Sequence, residues 1–163
     1  MADIHNSDLL NITGILPTDA CIIIVRTDWN AAVVDKLEEG CFSVFSSMGI
    51  SNVQVLRVPG AVEIPFVVKK YWTMQAEERK PDAFIALGCV LRGDTPHFEY
   101  VCQSVTQGIT QLNIELPVPT IFGILTVNTA EQATDRLGGK HGHKGEEAAI
   151  TAVKMIQLSR SFN

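Results

Sequence analysis

Two hydrophobic patterns alternate along this chain of 163 residues. Short segments rich in apolar and β-branched residues are typical of strands that are buried inside a sheet. The segments with this pattern cover 21–25, 53–58, 83–87 and 118–125. Between them, apolar residues recur every three or four positions, which indicates amphipathic helices. The helical pattern predicts helices over 31–48, 62–78, 96–115, 130–137 and 146–158.

The alternation of strands and helices predicts an α/β fold, in which a four-stranded parallel sheet lies between helices as a three-layer α/β/α sandwich. The length of 163 residues fits a single domain. Residues 1–20 are polar and irregular, so we expect them to form an N-terminal arm. In open parallel sheets, ligands bind beyond the carboxyl ends of the strands. The loops that follow the four strands are therefore the predicted place for a site.

Composition narrows the class of protein. Hydrophobic residues make up 46% of the chain and the mean hydropathy is +0.16, which is enough to bury a full core. The net charge of −5 argues against a nucleic-acid surface. No apolar run approaches the roughly 20 residues that a membrane helix needs. Residues 1–6 lack the basic and apolar regions of a signal peptide, so we expect a cytoplasmic protein.

The four cysteines lie in or beside apolar segments and are not spaced as Cys-x-x-Cys. We interpret them as reduced thiols in or near the core, as is usual in cytosolic proteins. The His141-x-His143 pair has no carboxylate or cysteine companion that would complete a closed metal site, and we interpret it as a solvated loop. No metal is therefore expected.

The segment 88–100, GCVLRGDTPHFEY, carries the richest candidate chemistry. Gly88 is predicted to end the third strand, Thr95 to cap the next helix and Pro96 to take its first position. A helix N-terminus offers free N–H groups and the positive end of the helix dipole, both of which suit a phosphate. His97 follows in the first turn of the helix. The sequence therefore predicts an anion seat with a proton-transfer group beside it.

Five motifs occur in order along the chain: VPGAVEIP at 58–65, GCVLRGDTPHFEYV at 88–101, FGILT at 122–126, EQAxxR at 131–136 and GxKG at 142–145. Together they resemble the 6,7-dimethyl-8-ribityllumazine synthase family, and the resemblance covers about residues 12–158. It implies a flavodoxin-like fold, which agrees with the α/β fold predicted from the hydrophobic pattern. It also implies a transferase of riboflavin biosynthesis that uses no metal and no organic cofactor.

The reaction implied by the resemblance condenses 5-amino-6-(D-ribitylamino)uracil with 3,4-dihydroxy-2-butanone 4-phosphate. A Schiff base forms, phosphate is eliminated, and the ring closes with loss of water. The family's sites lie between neighbouring subunits of a pentamer, so the expected partners are small-molecule substrates and further copies of the chain. The Gly-rich segment 138–145 is similar to that of members whose pentamers build icosahedral shells, with His143 in place of the usual Asn.

The resemblance also implies which residues contact the aminouracil. Trp29 takes the place of an aromatic residue, usually Phe, that stacks on the pyrimidine ring. Asn30, Ala61, Val62 and Glu63 are expected at the ribityl chain and the ring, with Glu63 as a hydroxyl acceptor. The larger ring of Trp29 further suggests that the pocket holds a flavin or the lumazine product.

Three consecutive residues, Cys89, Val90 and Leu91, are expected to recognise the uracil edge through backbone N–H and C=O groups, because they bend away from a strand. The resemblance implies that Phe122 completes the aromatic pocket from a neighbouring subunit. It places Lys144, at the start of the last helix, near the substrate.

The phosphate of the second substrate is expected at the anion seat. Asp94 and Thr95 would bind it through backbone N–H groups and the Thr95 hydroxyl, and the Asp94 side chain would turn outward because its charge repels phosphate. Arg136 matches the family's phosphate-binding arginine, which comes from the adjacent subunit. His97 is the predicted catalytic residue, which first accepts a proton and later protonates the leaving phosphate.

Several of these residues also have purely structural interpretations. An Asn in a turn needs no ligand, and a Glu in the first turn of a helix stabilises that turn. Arg136 could form a salt bridge with Glu131 or Asp135, and Phe122 could simply pack in the core.

Three other functions compete with the synthase on the sequence alone. A flavin-binding or storage protein on the same scaffold is suggested by Trp29, but storage needs no phosphate seat. An archaeal-type riboflavin synthase shares the fold without keeping the G-x-x-x-R-G-x-T-x-H pattern whole. An inactive shell protein is disfavoured by the same intact residues.

Overall fold

The computed structural model describes residues 8–14 and 16–162. Its main sheet contains four parallel strands in the order β2-β1-β3-β4. The strands are β1 (Ile22–Thr27), β2 (Val53–Val58), β3 (Ala83–Leu91) and β4 (Thr120–Val127). The α-helices are α1 (Ala31–Met48), α2 (Ile64–Met74), α3 (His97–Glu115), α4 (Ala130–Thr134) and α5 (Lys144–Arg160). The predicted flavodoxin-like α/β/α arrangement is confirmed.

Helices cover both faces of the sheet. Because successive strand residues point to opposite faces, Ile22 and Ile24 join the core formed with α1 and α5. Ile23 and Val25 join a second core formed with α2 and α3. All four side chains are fully buried, as the uninterrupted apolar run predicts.

The end of β3 differs from the prediction. Gly88 does not end the strand, because residues 88–91 continue to pair with residues 124–127 of β4. A side chain at Gly88 would come within 3.2 Å of the Thr27 Cγ2 atom, so this glycine serves a close approach inside the sheet. Residues 89–91 therefore belong to the strand and do not bend away from it.

Both helix starts near candidate residues are shifted. The first residue of α3 is His97, so Pro96 occupies the N-cap position that was predicted for Thr95. The Thr95 Oγ1 still accepts a hydrogen bond of 3.4 Å from the N–H of His97. At the other end of the chain, α5 begins at Lys144, two residues earlier than predicted.

The segment predicted as a Gly-rich loop instead contains a short antiparallel hairpin, β5 (Leu137–Gly139) and β6 (Gly142–His143). Gly138 and Gly142 have φ angles of 101° and 73°, a conformation that glycine adopts without a Cβ clash. Helix α4 correspondingly ends at Thr134, three residues before the predicted boundary.

Residues 61–63 form a 3₁₀ turn, and α2 follows from Ile64 to Met74. The predicted helix over 62–78 is therefore divided, and a second 3₁₀ turn covers Glu77–Arg79.

Arg26 follows the predicted end of the first strand at residue 25 but lies inside β1, with only 3% of its surface exposed. Its Nη1 atom lies 2.6 Å from an Asp35 oxygen and 2.7 Å from a Glu38 oxygen, both on α1. A buried cation is costly unless it is paired. Because these two carboxylates pair with the buried guanidinium, the strand can continue through this charged residue.

The described part of the predicted arm lies along α5. Leu9, Ile12 and Leu16 pack against the core under α1 and α5. Lys154 Nζ donates a 2.8 Å hydrogen bond to the Asp8 carbonyl oxygen. Residues 1–7 of the predicted arm lie outside the described residues.

All four cysteines are free thiols. Burial raises the pKa of Cys41 to about 12 and that of Cys89 to about 11, so both are neutral at physiological pH. Across residues 8–14 and 16–162, no helix combines the length and the apolarity needed to cross a bilayer.

Helices α1 and α5 approach each other so closely that only glycine fits at two positions. A Cβ on Gly145 would lie 2.1 Å from the Leu37 carbonyl oxygen. A Cβ on Gly40 would lie 2.2 Å from the Cε1 atom of His143. His143 itself caps α5, because its Nδ1 accepts a 3.4 Å hydrogen bond from the N–H of Glu146. This crossing fixes the start of α5, where Lys144 lies.

The clash of Gly40→Ala with the His143 ring should cost about 1–3 kcal/mol, the usual cost of overpacking. Replacing a helical glycine by alanine gains about 1 kcal/mol, so the net destabilisation should be up to about 2 kcal/mol. In a His143→Asn background the ring is absent while an N-cap acceptor remains, so Gly40→Ala should cost less, with the Glu146 backbone nitrogen 3.1 Å from the new Cβ as the remaining close contact. Urea denaturation at one protein concentration measures both free energies of unfolding.

Gly145→Ala is the matched control, because its clash is with the backbone of α1. It should remain destabilising in both backgrounds. If His143→Asn leaves the cost of Gly40→Ala unchanged, the imidazole is not what excludes a side chain at position 40.

Candidate functional site

The loops after β1 and β2 are joined at the carboxyl edge of the sheet. The N–H of Asp28 donates to the Val58 carbonyl at 2.8 Å, and the N–H of Trp29 donates to the Pro59 carbonyl at 3.1 Å. The Trp29 side chain is 73% exposed. Its Cδ1 atom lies 3.9 Å from where a side chain on Gly60 would begin. An accessible indole thus lies above this edge, as stacking on a planar ligand requires.

Asn30 connects the loop after β1 to the end of β3. It adopts a left-handed conformation, with φ of 57°, at the N-cap of α1. Its side-chain Nδ2 donates a 2.8 Å hydrogen bond to the Cys89 carbonyl oxygen. The structural role predicted for an Asn in a turn is therefore present, and it fixes the position of the strand end.

The last residues of β3 are paired unequally. The pairing of β1 with β3 ends at Arg26 and Leu87, whereas the pairing of β4 with β3 continues to Leu91. On the side of β1, the backbone beyond Leu87 therefore extends past the partner strand. Cys89 is buried, Val90 is half-buried and Leu91 is 42% exposed. This is the geometry in which a strand end can offer backbone groups to a ligand.

The turn after β2 presents a capping carboxylate. Glu63 Oε2 accepts a 2.9 Å hydrogen bond from the N–H of Gly60, so the capping role considered for Glu63 is present. Ala61 is buried, and Val62 is 44% exposed beside it. A separate cavity of about 250 Å³ opens between the start of α1, the ends of β3 and β4, and α4, and Asn30 and Leu91 contribute to its lining.

The loop after β3 has the properties of an anion seat. Residues 92–97 are all exposed. Within the described part of the chain, no protein group accepts a hydrogen bond from the N–H of Gly93, Asp94 or Thr95. A side chain at Gly93 would meet nothing within 4 Å. His97 follows at the first position of α3, where the helix dipole is positive.

The charges of this loop do not by themselves favour a phosphate. Arg92 forms an ion pair with Glu99, which holds the pKa of the Glu99 carboxyl below its ordinary value. Asp94 adds a second carboxylate. One cation and two carboxylates therefore border the seat in a single chain.

Phe122 and Lys144 do not lie with the residues at the carboxyl ends of β1, β2 and β3. Phe122 is the third residue of β4, far from the carboxyl end of the strand, and it pairs with Ala86. It precedes Val127 by five positions, which is roughly 16 Å along a strand. Phe122 and Lys144 line a separate cavity of about 460 Å³. Because Phe122 is 41% exposed, pure core packing does not describe it.

Lys144 forms an ion pair of 2.7 Å with Glu147 in the first turn of α5. Arg136 follows α4 and donates a 2.7 Å hydrogen bond from Nη1 to the Gln132 carbonyl oxygen. Of the two carboxylates considered as its salt-bridge partners, Asp135 lies 3.2 Å from Lys140.

Arg92, at the start of the loop after β3, is a residue for which the sequence predicts no role. The Arg92 guanidinium donates from Nε to the Asn128 Oδ1 at 2.7 Å and lies 4.1 Å from the centroid of the Phe98 ring. Its only sequence signal was its position inside the motif at 88–101.

Among the described residues, no group of three or more His, Cys, Asp or Glu side chains could hold a metal ion.

Known proteins resemble this chain over most of its length. A lumazine synthase from Parabacteroides distasonis is 49% identical over 138 residues, which cover 83% of this chain and 84% of the relative. The relative from Porphyromonas gingivalis is 49% identical over 144 residues, 87% of each chain. The relative from Streptomyces avermitilis is 43% identical over 147 residues, covering 89% and 88%. All three are named 6,7-dimethyl-8-ribityllumazine synthase, and the sequence model of the family with that description matches residues 19–160. The chain belongs to the 6,7-dimethyl-8-ribityllumazine synthase family.

Proposed function

We propose that this chain is a 6,7-dimethyl-8-ribityllumazine synthase. It condenses 5-amino-6-(D-ribitylamino)uracil with 3,4-dihydroxy-2-butanone 4-phosphate and releases the lumazine, phosphate and water. The observation that carries the proposal is the exposed loop 92–96 beside His97 at the carboxyl edge of a parallel sheet, in which the N–H groups of residues 93–95 bind no group in the described part of the chain. A store for riboflavin, which carries no phosphate, would have no use for this phosphate seat.

The aminouracil binds at the carboxyl edge formed by β1, β2 and β3. Trp29 stacks on the pyrimidine ring, and the 3₁₀ turn 61–63 meets the ring and the ribityl chain. The exposed end of β3, residues 89–91, offers backbone groups to the uracil edge. Asn30 contributes by holding Cys89 and by facing the ribityl chain.

His97 transfers the protons. It lies next to the phosphate seat, and a bound phosphate dianion stabilises an imidazolium there. The side chain can therefore accept a proton as the Schiff base forms and return it to the departing phosphate. Asp94 and Thr95 bind the phosphate through their N–H groups, and the Thr95 hydroxyl adds a further donor.

The site is completed by a second copy of the chain. In one chain the seat is bordered by Arg92, Asp94 and Glu99, so a phosphate dianion needs a further cation. Within the chain, Phe122 and Lys144 line a separate cavity, and the Arg136 side chain donates to the Gln132 carbonyl oxygen at 2.7 Å. We propose that a neighbouring copy supplies Arg136 to the phosphate and supplies Phe122 and Lys144 to the aminouracil.

This arrangement requires an oligomer, and we propose the cyclic pentamer of the family. The exposed apolar side chains Trp29, Val62, Phe66 and Leu91 support a subunit contact along the same edge. Assembly of pentamers into an icosahedral shell and a cytoplasmic location remain predictions from the sequence.

The activity itself is measured by mixing the purified protein with the aminouracil and the butanone phosphate. A fluorescent lumazine should accumulate with one phosphate released for each product molecule. If no product forms while riboflavin binds and quenches the Trp29 fluorescence, the chain is a flavin-binding protein.

His97→Ala should lower turnover by roughly 10–100-fold, at or below the usual contribution of a general acid–base group. Much of the rate is expected to come from positioning two reactive substrates, and that contribution survives the substitution. The matched control is His141→Ala, because His141 is an exposed histidine of the β5–β6 turn. Equal turnover of the His97 and His141 variants would remove His97 from the mechanism.

A shared site predicts complementation between inactive chains. His97→Ala and Arg136→Ala damage opposite halves of the proposed site, so each pure variant should be impaired at every site. When the two chains are unfolded together and refolded as a mixture, roughly one quarter of the sites should regain both residues. Turnover in the mixture should then exceed that of either variant alone. A site built within one chain would show no recovery.

A further inference from the structure

The side chain of Arg92 joins three segments that are separate in the sequence. Its Nε atom donates to Asn128 in the loop after β4 at 2.7 Å, and its Nη1 atom pairs with Glu99 in the first turn of α3. The guanidinium plane lies 4.1 Å from the centroid of Phe98. Its backbone N–H donates to the Val127 carbonyl at 2.9 Å. These contacts hold the first residue of the phosphate loop on both sides.

The same contacts continue towards Arg136. The Gln132 Oε1 accepts a 2.8 Å hydrogen bond from the N–H of Asn128. The Gln132 carbonyl accepts the 2.7 Å hydrogen bond from the Arg136 side chain. A continuous series of hydrogen bonds thus runs from Glu99 through Arg92, Asn128 and Gln132 to Arg136.

Apart from this series, α4 is held by local contacts: the Thr129 side chain caps it, and the N–H of Lys144 donates to the Arg136 carbonyl oxygen at 2.9 Å. Helix α4 has five residues, too few to be stable alone, and of these only Ala133 is buried. Residues 92–97 are exposed, and the N–H groups of residues 93–95 make no bond to the protein within the described part of the chain. A planar guanidinium can satisfy Asn128, Glu99 and Phe98 at once because its donors have a fixed geometry. The ammonium of a lysine has no such geometry.

We propose that Arg92 is a positioning residue for the phosphate-bearing substrate, rather than a ligand of it. It orients the N–H groups of residues 93–95 and, through Asn128 and Gln132, orients Arg136. In the oligomer Arg136 serves a neighbouring site, so Arg92 supports the phosphate contacts of two adjacent sites. This inference rests on the proposed function.

The test compares Arg92→Lys and Arg92→Gln with the parent protein, while each substrate is varied in turn. Arg92→Lys keeps the positive charge but removes the planar set of donors. Because these donors position the phosphate-binding N–H groups, KM for the butanone phosphate should rise by about tenfold. KM for the aminouracil should stay within about twofold, since that substrate binds other residues. Glu99→Gln should have a smaller effect of the same kind, because its amide can still accept from Arg92.

Arg160→Lys is the matched control. Arg160 also bridges two carboxylates, Asp19 and Asp82 at 2.8 and 3.0 Å, but Asp82 lies before the N-terminal end of β3, opposite the site. This variant should leave both KM values unchanged. If Arg92→Lys raises both KM values together with a fall in Tm like that of Arg160→Lys, Arg92 is only structural and the inference is wrong.

A double-mutant cycle that combines Arg92→Gln with Asn128→Ala tests the series of hydrogen bonds. Once Arg92→Gln is present, Asn128→Ala should add little to KM for the butanone phosphate, because both variants break the same contact. Fully additive effects would show that the two residues act separately, which contradicts the proposal.

Inorganic phosphate provides a readout that does not depend on turnover. It should raise the Tm of the parent more than chloride does at equal ionic strength, and Arg92→Lys should lose most of that difference. If the parent makes no lumazine but keeps the phosphate effect and Arg92→Lys loses it, the proposed function fails while the positioning role stands. An equal phosphate effect in both proteins overturns the role of Arg92.

Discussion

The end of β3 is the constraint on which the site depends. This strand is buried between β1 and β4 and pairs with β4 for four residues beyond its last partner in β1. The hydrogen bond from Asn30 to the Cys89 carbonyl fixes the side that β1 no longer covers. Because the strand cannot shift without breaking the sheet, loop 92–96, the candidate phosphate seat, and the start of α3 are carried on a rigid support. A mobile loop alone would not hold N–H groups at one distance from His97.

A second constraint sets the start of α5. Gly40 and Gly145 allow α1 and α5 to approach within backbone distance, and the His143 ring fills the space above Gly40. His143 also caps α5, so the residue that follows it, Lys144, begins a helix whose position is fixed by α1. Packing between two helices therefore decides where a candidate substrate-binding lysine lies. The pair Gly40 and His143 is expected to vary together, because each limits the size of the other.

The candidate site residues form two sets that differ in charge. Residues at the carboxyl edge provide donors and an aromatic surface, but the charges around the phosphate seat are on balance negative in one chain. The cationic Arg136 and Lys144 lie on the segments that follow β4. In the proposed shared site both sets are needed, so catalysis would require assembly of at least two copies. Arg92 connects the two sets, because its contacts join loop 92–96 to the segment that carries Arg136.

Much of this was determined by the sequence itself. The apolar runs and the helical periodicity predicted every main strand and helix, because burial on both faces of a parallel sheet leaves an uninterrupted apolar pattern. The motifs at 58–65 and 88–101 identified the family and the loops that carry its candidate site residues.

The sequence could not determine the contacts between distant segments. These are the pairing that extends β3 past Gly88, the burial of Arg26 against Asp35 and Glu38, the cap provided by His143, and the hydrogen bond from Arg92 to Asn128. Periodicity reports which face of an element is buried, whereas these features depend on which side chains meet after folding. That information exists only in the tertiary structure.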